Sequence, residues 1–308
     1  MPHRLLAIVG PTGAGKSALA LDIAETFHGE IVNCDSMQLY RGFDVGTAKT
    51  PVSERRGIPH HLFDVLSPSQ QYSAGEYGAA ARAVLEELAA RDRLPVVVGG
   101  TGFYLRALLE GLPSLPARDE PLRARLIARE HLRPGSLHRI LARLDPNAAR
   151  RIHPNDIQKT VRALEVRIVT RARIPERNTA EPLHGHAVLK LGLDPDRALL
   201  HQRLDTRVAA MFSSGLLEEL RRLLSSGATG AEKPFESLGY KQALQHMRGL
   251  ATLDQAIAST KIETRRYAKR QGTWFRRAPD IHWLKGFGDD PSIRKQAVDI
   301  LQNFHTIF

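Results

Sequence analysis

Apolar positions along this chain fall into two regimes. Leu5-Leu6-Ala7-Ile8-Val9, Glu30-Ile31-Val32-Asn33-Cys34, Leu94 to Val98, Ala187 to Leu193 and Ile281-His282-Trp283-Leu284 are short runs of strand length. They predict strands, and Glu30 to Cys34 and Leu94 to Val98 read as buried ones. Between them apolar residues recur every three or four positions, which predicts helices. One runs to about Phe27; another opens on the capping box Ser73-Ala74-Gly75-Glu76 and continues to about Arg91. Strand and helix in alternation predict an α/β fold with a parallel sheet flanked by helices. Residues 42 to 72 carry the breakers Gly42, Gly46, Pro51, Gly57, Pro59 and Pro68 and read as a long loop crossing over a site.

From about Leu112 the alternation stops, and Pro113, Pro116 and Pro121 mark a boundary. Only helical spacing follows as far as His186: Leu122 to His131, Ser136 to Leu144 and Ile157 to Thr170. The expectation is an inserted all-helical lobe over 117–186 that divides a core made of 1–116 and 187–308. Helices are then expected over Asp196 to Met211, Leu216 to Leu224, Gln242 to Met247 and Ile257 to Gln271, with a last one closing the chain.

The turn after the first strand changes the picture. Gly10-Pro11-Thr12-Gly13-Ala14-Gly15-Lys16-Ser17 is G-x-x-x-x-G-K-[ST] between a strand and a helix, the context this motif requires. Its glycines can turn successive N–H groups towards one anion, and the helix N-terminus behind them adds partial positive charge. Lys16 supplies a full charge, and Ser17 a hydroxyl for Mg2+. The sheet is thus of the phosphate-loop NTPase type, and the loop grips a polyphosphate without saying whose.

In open α/β sheets ligands bind beyond the carboxyl ends of the strands, which makes Asp35 a candidate reagent, although an Asp there can also merely close a turn. The third run ends in Gly99-Gly100-Thr101 where many phosphate-loop hydrolases place a magnesium-holding Asp, so ATP hydrolysis is disfavoured. Thr101 offers a hydroxyl at the same edge, or a cap for the next helix. Cys34 reads as a buried strand residue, and as the single cysteine it excludes a disulfide within the chain and fits a reducing compartment. Adjacent His60 and His61 would point apart in an extended segment, which argues against a shared metal.

Charge narrows the partner. The formal net charge is +11, and it is concentrated: residues 117–186 hold 15 basic and 8 acidic side chains, residues 260–277 hold 7 and 1. Such clustering points to nucleic acid, with a solvated basic face as the bland reading. Arg203 and Arg207 share a helix face; Lys261, Arg265 and Lys269 share another, followed by Trp274-Phe275, a spacing that suits a phosphate backbone and a stacked base. No run approaches a membrane span, and a cytoplasmic protein is expected.

Several segments in order resemble one family, the tRNA dimethylallyltransferases or tRNA isopentenyltransferases, in their bacterial form. They are the phosphate loop; Asp35-Ser36-Met37-Gln38 with Tyr40-Arg41-Gly42 and Asp44; Gly46-Thr47-Ala48-Lys49; Pro59-His60-His61; Gly99-Gly100-Thr101 with Tyr104; His153-Pro154-Asn155-Asp156 with Arg162-Ala163-Leu164-Glu165; Gly239-Tyr240; and Lys269-Arg270-Gln271 with Thr273-Trp274. The resemblance implies transfer of a dimethylallyl group from dimethylallyl diphosphate to N6 of adenosine-37 beside the anticodon, with Mg2+, by a monomer whose helical insertion holds the anticodon stem-loop. It also implies roles: Asp35 takes the amine proton, Thr101 contacts the reacting centre, Arg207 binds diphosphate together with Gly10 to Ser17, and Ser17 meets the metal through that diphosphate. The tRNA contacts so implied are Asp35, Ser36, Met37, Gln38, Arg123, Gln158, Lys159, Thr160, Val161, Arg162, Gly239, Tyr240, Lys241, Lys269, Arg270, Gln271, Thr273, Trp274 and Arg276. Where the family often has Thr-Gly-Lys, this chain reads Thr170-Arg171-Ala172-Arg173, which leaves the path of the insertion there open.

The chemistry agrees independently. Adenine's amine is a poor nucleophile, so a carboxylate that accepts its proton as the C–N bond forms is a sensible device. Pyrophosphate leaves with new negative charge, which Lys16, Arg207 and the loop amides can stabilise. An enzyme acting on a base must extract it from its stack, which explains a broad basic surface. Transfer to a free adenine nucleotide, an ATP-dependent small-molecule kinase and an RNA-binding protein with a vestigial loop are the competing readings.

Overall fold

In a computed structural model, residues 2–113, 115–116, 118–172 and 180–307 are described. The chain divides into two compact units, 1–109 with 183–308, and 110–182. Strands β1 (His3–Val9), β2 (Gly29–Asn33), β3 (His60–His61), β4 (Leu94–Val98), β5 (His186–Leu193) and β6 (Ile281–Leu284) form one sheet in the first unit. Their order is β3-β2-β4-β1-β5-β6, and every pairing is parallel. The continuous apolar runs of β1, β2 and β4 are buried on both faces, as a parallel sheet covered by helices demands. The segment 42–72, which reads as loop throughout, does contain β3, whose two residues are too few to carry a period.

Helices α1 (Lys16–Thr26), α2 (Ala74–Ala90) and α3 (Gly102–Glu110) belong to the first unit. Leu6, Ile8, Leu19, Ile23, Ile31, Val96 and Leu191 lie in one core beneath α1. The two helix starts differ in a telling way. At α2, Ser73 accepts from the Glu76 amide and the Glu76 carboxylate accepts from the Ser73 amide, so its first turn is satisfied internally. At α1 the preceding residue is Gly15, left-handed at φ 84°, with no side chain to cap the helix. Its leading N–H groups are therefore available to an external anion.

The second unit holds α4 (Glu120–Leu132), α5 (Ser136–Leu144), α6 (Pro146–Arg151) and α7 (Ile157–Thr170). It spans 110–182, against the 117–186 read from the prolines, and takes in the last residue of α3. The Leu183 amide then donates to Leu109 O at 2.8 Å, closing the excursion. Helix α6 has no counterpart in the sequence pattern: six residues opening on a proline show no repeat, and Asp145, accepting from the Ala148 amide, starts it. Leu126, Leu137, Leu141, Val161 and Leu164 make this unit's own core. Arg173, the last residue of the departure from the family pattern, lies outside the described residues.

The first unit continues with α8 (Arg197–Ser213), α9 (Leu216–Ser225), α10 (Tyr240–Met247), α11 (Leu253–Phe275) and α12 (Pro291–Ile307). Helix α11 starts four residues earlier than its apolar spacing indicates. Thr252 and Gln255 form a capping box that carries the start through the polar Asp254.

Candidate active site

Register decides which residues meet. Ile8 of β1 lies opposite Val98 of β4, and Val98 lies opposite Asn33 of β2. The three strands end level, so Gly10–Gly15, Gly99–Thr101 and Cys34–Asp35 leave the sheet side by side at its carboxyl edge. Beyond the last ladder pair the Cys34 amide still donates to Val98 O and the Thr101 amide to Cys34 O. A Cβ on Gly99 would lie 2.1 Å from Cys34 O, so only glycine lets these segments approach.

The phosphate loop has Gly10, Gly13 and Gly15 at φ 137°, 82° and 84°, a conformation costly for residues bearing a side chain. Lys16 Nζ donates to Pro11 O at 2.9 Å, folding over the loop. Burial lowers its ammonium to about 8, against the opposing attraction of Asp35. Ser17 is exposed at the start of α1. Behind the loop, the Gly288 amide donates to Ala14 O at 2.8 Å.

Asp35 is held on both sides of its peptide by the buried Asn33: its amide donates to Asn33 Oδ1 at 2.8 Å, and Asn33 Nδ2 donates to Asp35 O at 3.0 Å. Oδ1 of Asp35 accepts from the Met37 amide at 2.9 Å, the turn-closing bond anticipated for an Asp in this position. The carboxylate is half-buried and within electrostatic reach of both Lys16 and Arg207. Turn closure and a place at the nest thus coexist. Thr101 Oγ1 accepts from the Ser36 amide at 3.1 Å, fixing the chain next to Asp35.

Arg207 of α8 reaches across to the loop, where its Nη2 donates to Thr12 Oγ1 at 2.7 Å. Its Nε is buried and has no hydrogen-bond partner among the described residues. Burial, and secondarily the charge of Arg203, lower its guanidinium to about 10. A buried donor left open beside uncapped amides and a desolvated lysine fits an oxyanion. Arg203, expected on the same face, pairs instead with Asp289 at 2.7 Å.

The residues expected at tRNA divide by exposure. Lys269, Arg270, Thr273 and Trp274, with Arg266 and Arg277, line a groove of about 460 Å³ on α11. Trp274 sits over Gly102, where any Cβ would meet its ring at 2.2 Å. Arg276 is exposed and paired with Asp194, and Lys241 is exposed. Ser36, Met37 and Gln38 are half-buried beside Asp35, and Gln38 Nε2 donates to Thr47 O.

In the second unit Gln158 and Lys159 are exposed, whereas Thr160 and Val161 are buried in its interior and present no side chain to solvent. Arg123 and Arg162 both donate to Glu165, itself 0% exposed, so their guanidinium groups hold that unit together. Tyr240 is likewise enclosed: its hydroxyl donates to Glu219 and accepts from the Gly46 amide, while Glu219 also accepts from the Asp44 and Val45 amides. Gln271 is buried too, bonded to the phosphate loop. Arg265 forms a two-pronged pair with Asp205 of α8, a contact its helical spacing does not reveal. Tyr267, one turn before Gln271 on α11, lies within electrostatic reach of Asp35, a placement that the i, i+4 interval to Gln271 indicates and basic spacing does not. Cys34 is buried, and burial pushes its thiol up to about 12, an inert group. His60 bonds Ile58 O and His61 bonds Glu30; no metal-holding group of three His, Cys, Asp or Glu occurs among the described residues.

A parallel sheet with a phosphate loop at its carboxyl edge, a carboxylate facing that loop and a basic groove beside it define a phosphate-loop group-transfer protein. The IPP transferase family model matches residues 38–278. A tRNA dimethylallyltransferase of Solibacter usitatus is 57% identical over 302 residues, 97% of this chain and 98% of the relative, and one of Koribacter versatilis is 51% identical over the same shares. Among solved structures, the tRNA isopentenylpyrophosphate transferase of Bacillus halodurans superposes with a TM-score of 0.71 at 36% identity, covering 99% of this chain and 96% of that one. A eukaryotic dimethylallyltransferase crystallised acting on tRNA gives 0.82 at 28%, covering 99% and 80%. The chain belongs to the tRNA dimethylallyltransferase (IPP transferase) family and is a transferase.

Proposed function

We propose that this protein transfers the dimethylallyl group of dimethylallyl diphosphate to N6 of adenosine-37 in tRNA, releasing pyrophosphate. What carries this reading is the convergence of Asp35, Lys16 and Arg207 at one sheet edge, an acceptor of protons facing two cations across an uncapped helix start. The loop amides of Gly13 and of Gly15 to Ser17, with Lys16 and the open Nε of Arg207, bind the diphosphate and stabilise its charge as the C–O bond breaks, while the Ala14 amide closes the loop on Pro11 O. Asp35 accepts the amine proton as the C–N bond forms, while Thr101 holds the Asp35–Ser36 segment at the reacting centre. Ser17 would hold Mg2+ together with diphosphate oxygens; the metal, when bound, neutralises charge on the leaving group. With no group of three His, Cys, Asp or Glu among the described residues to cage an ion, the Ser17 hydroxyl suits a magnesium ion delivered with its phosphates.

The basic groove of α11 and the exposed face of the lobe around Gln158 and Lys159 bind the anticodon stem-loop on this reading, and the adenine leaves its stack to reach Asp35. A cytoplasmic monomer suffices for it. Mass spectrometry of tRNA incubated with the protein, Mg2+ and dimethylallyl diphosphate tests the activity. Adenosine-37 gaining one dimethylallyl group is expected; unmodified tRNA alongside phosphate transfer from ATP would sink the reading in favour of a kinase.

A further inference from the structure

The resemblance puts Gln271 among the tRNA contacts, yet its side chain points inward and both ends are occupied. Oε1 accepts from the Thr12 amide at 2.8 Å, and Nε2 donates to Gly100 O at 2.9 Å. One buried amide therefore ties the phosphate loop after β1 to the glycine segment after β4, two connections that have no other side chain bridging them among the described residues. Thr12 continues the chain, because its hydroxyl accepts from Arg207 Nη2 at 2.7 Å. The line Gly100–Gln271–Thr12–Arg207 thus runs from β4 through α11 and the nest to α8.

Two observations mark this line as built for the ligand. The surroundings are cut to the amide: a Cβ on Gly100 would stand 2.1 Å from Gln271 Nε2. Holding Nη2 on Thr12 also leaves Arg207 Nε as a buried donor with no partner among the described residues. Burying a donor unpaired is unfavourable, and an oxyanion arriving at the nest would relieve that cost.

We infer that Gln271 is a positioning residue for the prenyl donor: through Thr12 it sets the first turn of the phosphate loop and aims Arg207 Nε at the diphosphate, and it does not read RNA. The inference deepens the proposed function and rests on it for the identity of the donor, but its test needs only pyrophosphate.

Gln271→Met keeps length and bulk while removing both hydrogen bonds. Binding of inorganic pyrophosphate with Mg2+, measured by calorimetry, is expected to weaken roughly ten- to hundredfold. The KM for dimethylallyl diphosphate should rise in step, with anticodon stem-loop affinity held within about twofold and the melting temperature within a few degrees. Gly100→Ala should displace the amide and weaken pyrophosphate by a similar factor, yet add nothing in the Gln271→Met background, because the line is already broken. Pyrophosphate affinity unchanged in Gln271→Met overturns the inference. So does an equal loss of stem-loop affinity, which would restore Gln271 as an RNA contact, or full additivity of the two substitutions. Failure of the unsubstituted protein to modify tRNA would instead count against the proposed function, leaving the pyrophosphate result to stand by itself.

Discussion

Asp35 and Lys16 bear the sharpest expectations at the residue scale. Asp35→Ala removes a proton acceptor and little contact area, so kcat should fall about 100- to 10,000-fold while stem-loop affinity holds; full kcat would remove Asp35 from the chemistry. Lys16 sits near 8 because burial disfavours its charge. A lysine with a folded value below its ordinary 10.5 opposes folding fully below about pH 8, and that cost fades as pH rises to 10.5. Bound diphosphate should restore the charge. At pH 9, pyrophosphate binding should therefore take up protons, seen as a dependence of calorimetric enthalpy on the ionisation enthalpy of the buffer. In Lys16→Met that uptake should shrink, with stability at neutral pH undiminished. Both residues are legible in the sequence because a motif spacing and a strand end place them. Arg207's open Nε and the inward turn of Gln271 are not, since each depends on a partner more than 190 or 170 positions away.

Among the elements, α11 separates what periodicity can say from what it cannot. Its basic residues recur at helical spacing, but the same spacing serves a solvent groove on one side and an internal pair on the other. Lys269 and Arg270 line the groove, and Arg265 closes on Asp205 of α8. Removing charge at Lys269 and Arg270 should weaken tRNA binding and reduce the magnitude of its salt slope by about one for each phosphate no longer neutralised. Arg265→Ala, which spacing alone groups with them, should instead lower the melting temperature by loosening α8 against α11, with the salt slope preserved. A flattened slope in Arg265→Ala would return that residue to the RNA surface. The strands and long helices are readable because each carries several periods of pattern; β3 and α6, at two and six residues, carry none.

At the scale of the whole molecule, the two units have separate cores, and the connection between them gives a way to test their division of labour. The Leu109 carbonyl and the Leu183 amide are 2.8 Å apart and hydrogen-bonded, so the excursion begins and ends at one point of the first unit. Excising 110–182 and joining the ends through a short glycine-serine turn asks the chain to span a distance it already spans, at small loop-closure cost. No residue of the nest, and neither Asp35, Thr101 nor Arg207, lies in the removed segment. The excised protein should fold cooperatively and bind pyrophosphate with Mg2+ within a few-fold of the full chain, because the loop, its brace at Gly288 and the Gln271 tie all remain. Its affinity for the anticodon stem-loop should drop sharply, since the lobe takes with it all 15 basic side chains of residues 117–186. Transfer to tRNA should then be recoverable in part at high RNA concentration, as the groove of α11 persists. Undiminished stem-loop affinity after excision would remove the lobe from the RNA-binding surface and leave α11 to carry it.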